Sequence, residues 1–412
     1  MMTWHGRLRR EPVPVCTAGR SGVASRVATL AALVCLGAAA PAGAQTTLTD
    51  ALALAYATNP RLEAERARLR ATDEELPQAL SNWRPTVTVN SDIGKEYVDN
   101  NPPDASGNSD TTTPRAVDLT VSQPLFRGFR TQAETRRAQD NIAAGRADLI
   151  SIEQDVLFDA VEGFSNVLRE RAVLDLQRNN ERVLAEQLQA TRDRFEVGEV
   201  TRTDVAQAES RLSRATSDRI GAENDLETAE AQYKNIIGAE PVELVVPAQP
   251  DILPGTLTDV IRGALTNNPD VVSAEFRERS AREDVELVRG ELLPEVTLDG
   301  QLERSEDRIS KNFERDVASV TVNLRVPLYQ SGSVFSRVRE AKQVASQRLQ
   351  ELADTRREAE RAATDAWESL QASEATVVAF QSEVRAQELA LEGVKQEQLV
   401  GARTVLDVLD AE

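Results

Sequence analysis

The chain has 412 residues, with 48 Lys and Arg against 67 Asp and Glu, giving a formal net charge of −19. Aromatics make up 4% and charged residues 28%, which is thin for one large globular core and suits long helices with narrow apolar seams. So acidic a surface repels nucleic acid, and no nucleic-acid partner is expected.

Residues 1–44 read as an export signal. Arg7, Arg9, Arg10, Arg20 and Arg26 precede an apolar run from Val27 to Ala40, and Ala42-Gly43-Ala44 supplies a small-x-small cleavage pattern. The run is short for a membrane anchor, and Val34 before Cys35 argues against a lipidated cysteine. Cleavage after Ala44 removes Cys16, Cys35 and His5, and takes the net charge to −23. The remaining chain has no thiol or imidazole, so no catalytic residue, cofactor or metal site is expected. No later apolar run is long enough for a membrane helix, so a membrane crossing would have to use strands.

Residues 45–240 form a first unit. Its helical pattern, 48–82, breaks at Asn59-Pro60, where Asn caps and Pro suits a first helical position. Pro77 should bend the second part, and Arg84-Pro85 ends it. A strand over 85–98 sets Val87, Val89 and Ile93 against Thr88, Asn90 and Asp92. Beyond Asn100-Asn101-Pro102-Pro103 and a Ser/Thr/Asp-rich loop, a strand over 115–126 sets Val117, Leu119 and Val121 against Asp118, Thr120 and Ser122. No proline occurs from Thr131 to Glu196, so a helix over 130–197 is expected, on the order of 100 Å long. A helix over 203–237 follows, ending near Gly238. Residues 241–256 are proline-rich and read as an extended linker beside the coils.

The second unit, 257–412, repeats this order: helix 257–292, strands 294–304 and 316–329, and a long helix 333–400. Its strands again alternate, with Val320, Val322, Leu324 and Val326 against Thr321, Asn323 and Arg325. The long helix carries a heptad seam through Ala359, Ala363, Ala366, Leu370, Ser373, Val377, Phe380, Val384, Gln387, Leu391 and Val394. Four strands with one apolar and one polar face could be the edge of a soluble sandwich. Four are too few to bury such a sheet, however, and Asp, Asn and Arg on the polar face suit the wall of a water-filled lumen.

The correspondence is in register. Asn59-Pro60 recurs as Asn268-Pro269, Pro85 as Pro294, and Pro124-Leu125-Phe126 as Pro327-Leu328-Tyr329. The turn around Val197-Gly198 recurs 203 residues later at Val400-Gly401. At each, Gly198 or Gly401 can close a helix in the left-handed conformation, and Thr or Asp (Thr203, Asp204; Thr404, Asp407) can begin the next. Each is the tight turn of a helical hairpin. The second unit stops at Glu412, just after its turn, so a terminal helix like 203–237 is expected to be missing.

With these residues in place, the chain resembles the TolC family of outer-membrane efflux and type I secretion channels. The most specific match is Gly401-x-Arg403-Thr404-x-x-Asp407-Val408-Leu409-Asp410-Ala411. Its first-unit counterpart is Phe195-x-Val197-Gly198-x-Val200-x-x-Thr203-Asp204-Val205. The resemblance implies a mainly α fold with a small β part: long antiparallel coiled-coil helices in two tandem repeats. Each repeat would lend a β-hairpin to a homotrimeric, twelve-stranded barrel in the outer membrane, continued as a helical barrel through the periplasm. The implied partners are outer-membrane lipid, a periplasmic adaptor, and an inner-membrane ABC or RND transporter.

The resemblance also implies site roles at the periplasmic tip. Asp407 and Asp410, on one helix face, would line a constriction, where a threefold axis gathers six carboxylates. Asp204 and Arg403 would form a link that helps hold the tip closed. Acidic residues at a helix start are also favourable as caps. Capping reads best for Asp204, both readings stand for Asp407, and the constriction reads best for Asp410. Gln398 stands where, by the resemblance, the channels closest to the family's type member carry a Tyr three residues before the Gly. The turn and the missing lipoprotein cysteine tilt the reading towards type I secretion. The rival classes are a structural trimeric coiled-coil protein of the envelope, and an enzyme relying on carboxylate or metal chemistry.

Overall fold

The computed structural model describes residues 45–412 apart from 105–106, 249–252 and 309–311. The expected export signal, 1–44, lies outside the described residues. The chain begins with β1 (Gln45–Thr46), α1 (Leu48–Thr58), α2 (Pro60–Asp73) and α3 (Glu75–Ser81). Asn59 serves both neighbours. Its N–H donates to the Ala55 carbonyl at 3.0 Å, and its side chain accepts from the Arg61 N–H at 2.9 Å, with Pro60 at the first position of α2. The second break falls at Glu74 rather than at Pro77. A proline ring clashes with the carbonyl four residues back, here that of Asp73. The helix gives way next to it, and Pro77 rides in the first turn of α3, where an N–H has no helical partner to lose.

The strands are β2 (Thr86–Ile93), β3 (Glu96–Asp104), β4 (Gly107–Thr112) and β5 (Arg115–Arg127). The strand expected over 85–98 is therefore two strands, interrupted at Gly94. The segment read as a loop is largely a second hairpin, with Glu96 opposite Thr112 and Tyr97 opposite Thr111. This corrects the expectation of four strands only. Asn100 to Pro103 masked the hairpin in the sequence, and the register is irregular there, between Asp99 and Asp104.

Next come α4 (Arg130–Glu196), α5 (Arg202–Ile237) and β6 (Glu243–Leu244). β6 pairs in parallel with β1. Arg171 of α4 donates to the carbonyls of Pro241 and Val242 at 2.6 and 3.0 Å, which holds the proline-rich connection against the coil. The second half comprises α6 (Leu257–Asn267), α7 (Pro269–Gly290), β7 (Glu295–Glu306), β8 (Glu314–Arg325), α8 (Ser333–Leu399) and α9 (Val405–Ala411). The expected strand 316–329 runs instead from Glu314, opposite Glu306, to Arg325. Pro327 has no N–H to give a ladder, so the strand stops short of it.

The helices pack in two connected groups. Ala208, Ala215, Ala222 and Ala229, each seven residues on, are buried on α5 and let it lie close along α4. At its upper end Ala51, Ala55, Ala160, Phe164, Val167, Tyr233 and Ile237 form one apolar cluster joining α1, α4 and α5. α7 joins the halves. Its Val271 packs on Leu352 and Ala359 of α8, while its Ser273 and Arg277 both bind Asp148 of α4, at 2.6 and 2.7 Å. Below Ala359 the heptad seam of α8 lies open within one chain, with Val377, Phe380 and Val384 each more than half exposed.

Where strands become helices the two halves use the same device. Gly128 and Phe129 are both left-handed (φ 61° and 62°), and so are Ser331 and Gly332 (φ 52° and 76°), the positions 203 residues on. Phe129 meets Phe126 edge to face at 5.1 Å, a contact that offsets part of the cost of a left-handed aromatic residue.

Candidate functional site

One sheet holds the order β2-β5-β7-β8, antiparallel throughout. Its register sorts the side chains. Val87, Val121, Gly300 and Val320 lie opposite one another in one row, and Val89, Leu119, Leu302 and Ala318 in another two residues along. Because side chains alternate, these rows share a face, and that face is bare: Val320 is 79% exposed, Val89 66% and Leu324 64%. At the end far from the helices the same face turns ionic. There Arg304 pairs with Glu314 at 3.3 Å and Asp316 at 3.9 Å, and Arg115 with Glu306 at 3.7 Å.

The opposite face is polar and internally bonded. Asn90 donates to Asp118 at 3.0 Å, as does Thr120 at 3.2 Å. Asp299 accepts from Ser122, from Asn323 at 2.6 Å and from Thr297 at 3.1 Å. An apolar band bounded by charge on one side, with a hydrogen-bonded polar wall on the other, is what a strand needs to stand between lipid and water. Among the described residues no helix is long and apolar enough to cross a membrane. Among the described residues, β2 and β8 each keep one edge without a partner strand.

The second region is the pair of turns at the far end of the long helices. Each closes by the same hydrogen bonds. Gly198 and Glu199 N–H groups donate to the carbonyls of Phe195 and Arg194, and Gly401 and Ala402 to those of Gln398 and Glu397, all at 2.9–3.0 Å. The glycines are left-handed, φ 80° and 79°, as this closure requires. The caps follow. The Asp204 carboxylate accepts from Thr201 N–H and hydroxyl at 2.7 and 2.8 Å, and Asp407 from Thr404 N–H and hydroxyl at 2.8 and 2.9 Å. The capping threonine of the first turn is thus Thr201; Thr203 is the second residue of α5. The bonds from Thr201 N–H and hydroxyl hold Asp204 below the usual carboxylate range. Those from Thr404 do the same for Asp407, helped by the charge of Arg403.

The structure therefore gives both Asp204 and Asp407 a capping partner within their own turn. It does not bring Asp204 and Arg403 together in one chain: Arg403 donates to Glu397 at 2.8 Å. Asp410 has a distant partner, Arg211 of α5, 199 residues away in sequence. Sequence reasoning missed Arg211, Thr201 and Glu397. Thr201 was findable by the offset from Thr404, whereas Arg211 carries no local signal beyond standing two helical turns after Asp204.

A family model described as outer membrane efflux protein matches residues 51–239 and 260–412, leaving out the first 50 residues and 240–259, which hold the linker and the start of α6. The outer membrane efflux protein BepC of Brucella suis is 32% identical over 367 residues, covering 89% of this chain and 79% of that protein. The outer membrane protein TolC of Escherichia coli is 25% identical over 372 residues, covering 86% of this chain and 74% of that protein. The solved structure of the outer membrane protein VceC of Vibrio cholerae superposes with a TM-score of 0.76 at 17% identity, covering 88% of each chain. With the bare apolar band, the polar wall and the paired helical turns, these similarities establish that the chain belongs to the outer membrane efflux protein family and serves as an exit duct in the outer membrane.

Proposed function

We propose that three copies of this chain assemble into one pipe. Among the described residues its sheet leaves the outer edges of β2 and β8 without a partner strand, and pairing β2 of one copy with β8 of the next closes a twelve-stranded barrel with no free edge. The observation that carries this reading is the division of the sheet into a bare apolar face and a hydrogen-bonded polar face. A soluble tether has no use for either. Closure puts the valine rows against lipid and Asp118, Asp299 and Asn323 along the lumen. The long coils then continue the lumen through the periplasm, with both turns at its inner end.

The pipe is a passive conduit and makes no bonds. A periplasmic adaptor and an energised inner-membrane transporter dock at the tip, and cargo, whether small molecules or secreted protein, leaves through the barrel. Asp407 and Asp410 form the constriction, and Gly198, Thr203, Gly401 and Thr404 shape the turns that present it. In a single chain Asp204 and Arg403 are occupied by Thr201 and Glu397, so a link between them joins neighbouring protomers when the tip closes.

Single-channel recording in planar bilayers tests the reading. The purified full-length chain should migrate as a heat-modifiable trimer and give discrete conductance steps. A trimer that never conducts would instead make the protein a structural coiled coil of the envelope.

A further inference from the structure

We propose that Arg308 sets the charge selectivity of the channel's outer mouth: it folds over the lumenal wall and cancels carboxylates that would otherwise carry the acidic bore out to the exit. The inference rests on the lumenal assignment of the polar face proposed above.

The polar face is charged unevenly along its length. In its middle, Asp118 accepts from Asn90 and Thr120, and Asp299 from Ser122, Thr297 and Asn323. Among the described residues these donors are all neutral, so they bond the two carboxylates without cancelling their charge. Further out the same face holds Glu303, in register with Asp118, and then a row of Asp92, Ala116, Ser305 and Arg315. Arg308, two residues past the end of β7, supplies a second cation there. Its Nη2 donates to both oxygens of Asp92 at 3.0 Å, and its Nη1 stands 3.7 Å from the Glu303 carboxylate. Two acids and two bases thus balance at the outer end, whereas the middle holds two uncompensated acids.

The geometry places Arg308 over the wall rather than on the rim. β5 lies between β2 and β7, so a side chain reaching from the end of β7 to Asp92 must cross it. The β5 residue between is Ala116, whose methyl leaves room for the crossing. Ala116 is 5% exposed and Ser305 3%, on a sheet whose opposite face is bare, and the arm of Arg308 supplies that cover. The backbone aims it. Asp307 is left-handed (φ 55°) and its N–H donates to the Phe313 carbonyl at 2.9 Å, so the chain turns one residue before Arg308. In the proposed trimer three such pairs ring the exit. A mouth without net charge does not concentrate cations from the medium, whereas an acidic bore does. Arg308 therefore limits how strongly the duct as a whole selects for cations.

The test measures reversal potentials across a salt gradient in planar bilayers, with the full-length chain as a trimer. Arg308 and Asp92 are about half exposed, so R308Q, D92N and R308Q/D92N should assemble as heat-modifiable trimers like the parent. R308Q should raise the cation-to-anion permeability ratio about twofold, the scale of one unit charge several ångströms away in water. D92N leaves the guanidinium without its main partner and should lower the ratio by a similar factor. The double variant keeps the parent's net charge and should return to the parent's ratio. Both single-variant shifts should fade in about 1 M salt, where charges are screened within about 3 Å. A parental ratio in R308Q, or shifts of the same sign in R308Q and D92N, overturns the inference. Thr321→Arg, deeper on the same face, separates it from the reading beneath. If Thr321→Arg shifts selectivity and R308Q does not, the polar face lines the bore but Arg308 does not set its mouth. If neither shifts it, the lumenal assignment falls and the inference with it.

Discussion

Gly128 and Gly290 meet backbone to backbone where the sheet passes into the helices. A Cβ on Gly128 would stand 2.3 Å from the Gly290 carbonyl oxygen, and one on Gly290 2.5 Å from that of Gly128. Neither neighbour is a flexible side-chain end, so something in the backbone would have to move. Gly128 is also left-handed, φ 61°. Gly128→Ala should therefore cost roughly 3 kcal/mol or more, combining strain and overpacking. Gly332, equally left-handed at φ 76°, has nothing within 4 Å, so Gly332→Ala should cost only about 1 kcal/mol. Thermal dissociation of the trimer measures both, and equal effects would show that the close approach is irrelevant.

The caps of the two turns make a pH prediction. Asp204 and Asp407 are held below the usual carboxylate range by hydrogen bonds from Thr201 and Thr404. A carboxylate whose folded pKa is depressed contributes stability that is present above its unfolded pKa, about 4, and is lost as pH falls through the lower folded value. Asp204→Asn should consequently increase amide exchange at the start of α5 at pH 7, and the difference from the parent should vanish in strong acid. Thr201→Ala removes the reciprocal half of the box and should cost about 1 kcal/mol of local helix stability. An Asp204→Asn difference that persists unchanged below the folded pKa would show that the carboxylate's charge is not what caps the helix.

What the sequence made legible follows from the range of each interaction. The long coils, the alternating strands and the left-handed glycines are local signals, and α4, β5 and α8 lie within two residues of where periodicity and prolines put them. The hairpin of β3 and β4 was hidden because Asn, Ser, Thr, Asp and Pro favour turns individually, while strand pairing depends on a partner segment. The break at Glu74 was displaced because a proline's clash acts on the residue four before it. At the tip, the motif drew attention to Asp407 and Asp410 but could not show that the first is used by its own turn and the second by Arg211. That distinction depends on how two hairpins lie side by side, and no spacing within either one encodes it.

The sheet's two faces can be told apart by the same substitution made one residue apart. Val320 lies in the middle of the bare apolar band, in a row with Val87, Val121 and Gly300, and Thr321 beside it points the other way, opposite Asp299. Val320→Arg places a charge in lipid and should destabilise the folded barrel by about 2–4 kcal/mol in lipid vesicles. Thr321→Arg places the same charge in a watery lumen. It should leave stability nearly unchanged and shift ion selectivity towards anions. Urea titration in vesicles and reversal-potential measurements read the two effects. If Thr321→Arg proved the more destabilising, the faces would be assigned the wrong way round.

Charge at the constriction decides what can block the channel. In the proposed trimer, three Asp407 and three Asp410 carboxylates would converge on one axis, and a multivalent cation seated among them would gain attraction from all six, more than a monovalent ion would. The caps temper this. Asp407 already accepts two hydrogen bonds from Thr404, and Asp410 is offset by Arg211, so neither presents a bare charge in the resting tip. Asp407→Ala with Asp410→Ala should nonetheless weaken trivalent block by at least tenfold, which corresponds to losing about 1.4 kcal/mol of binding. Each single variant should carry part of the loss, and Asp407→Ala should also fray the start of α9, because that carboxylate caps the helix. Measured as the blocking concentration for a trivalent cation added on the tip side, an unchanged value in the double variant would move the constriction away from this turn altogether.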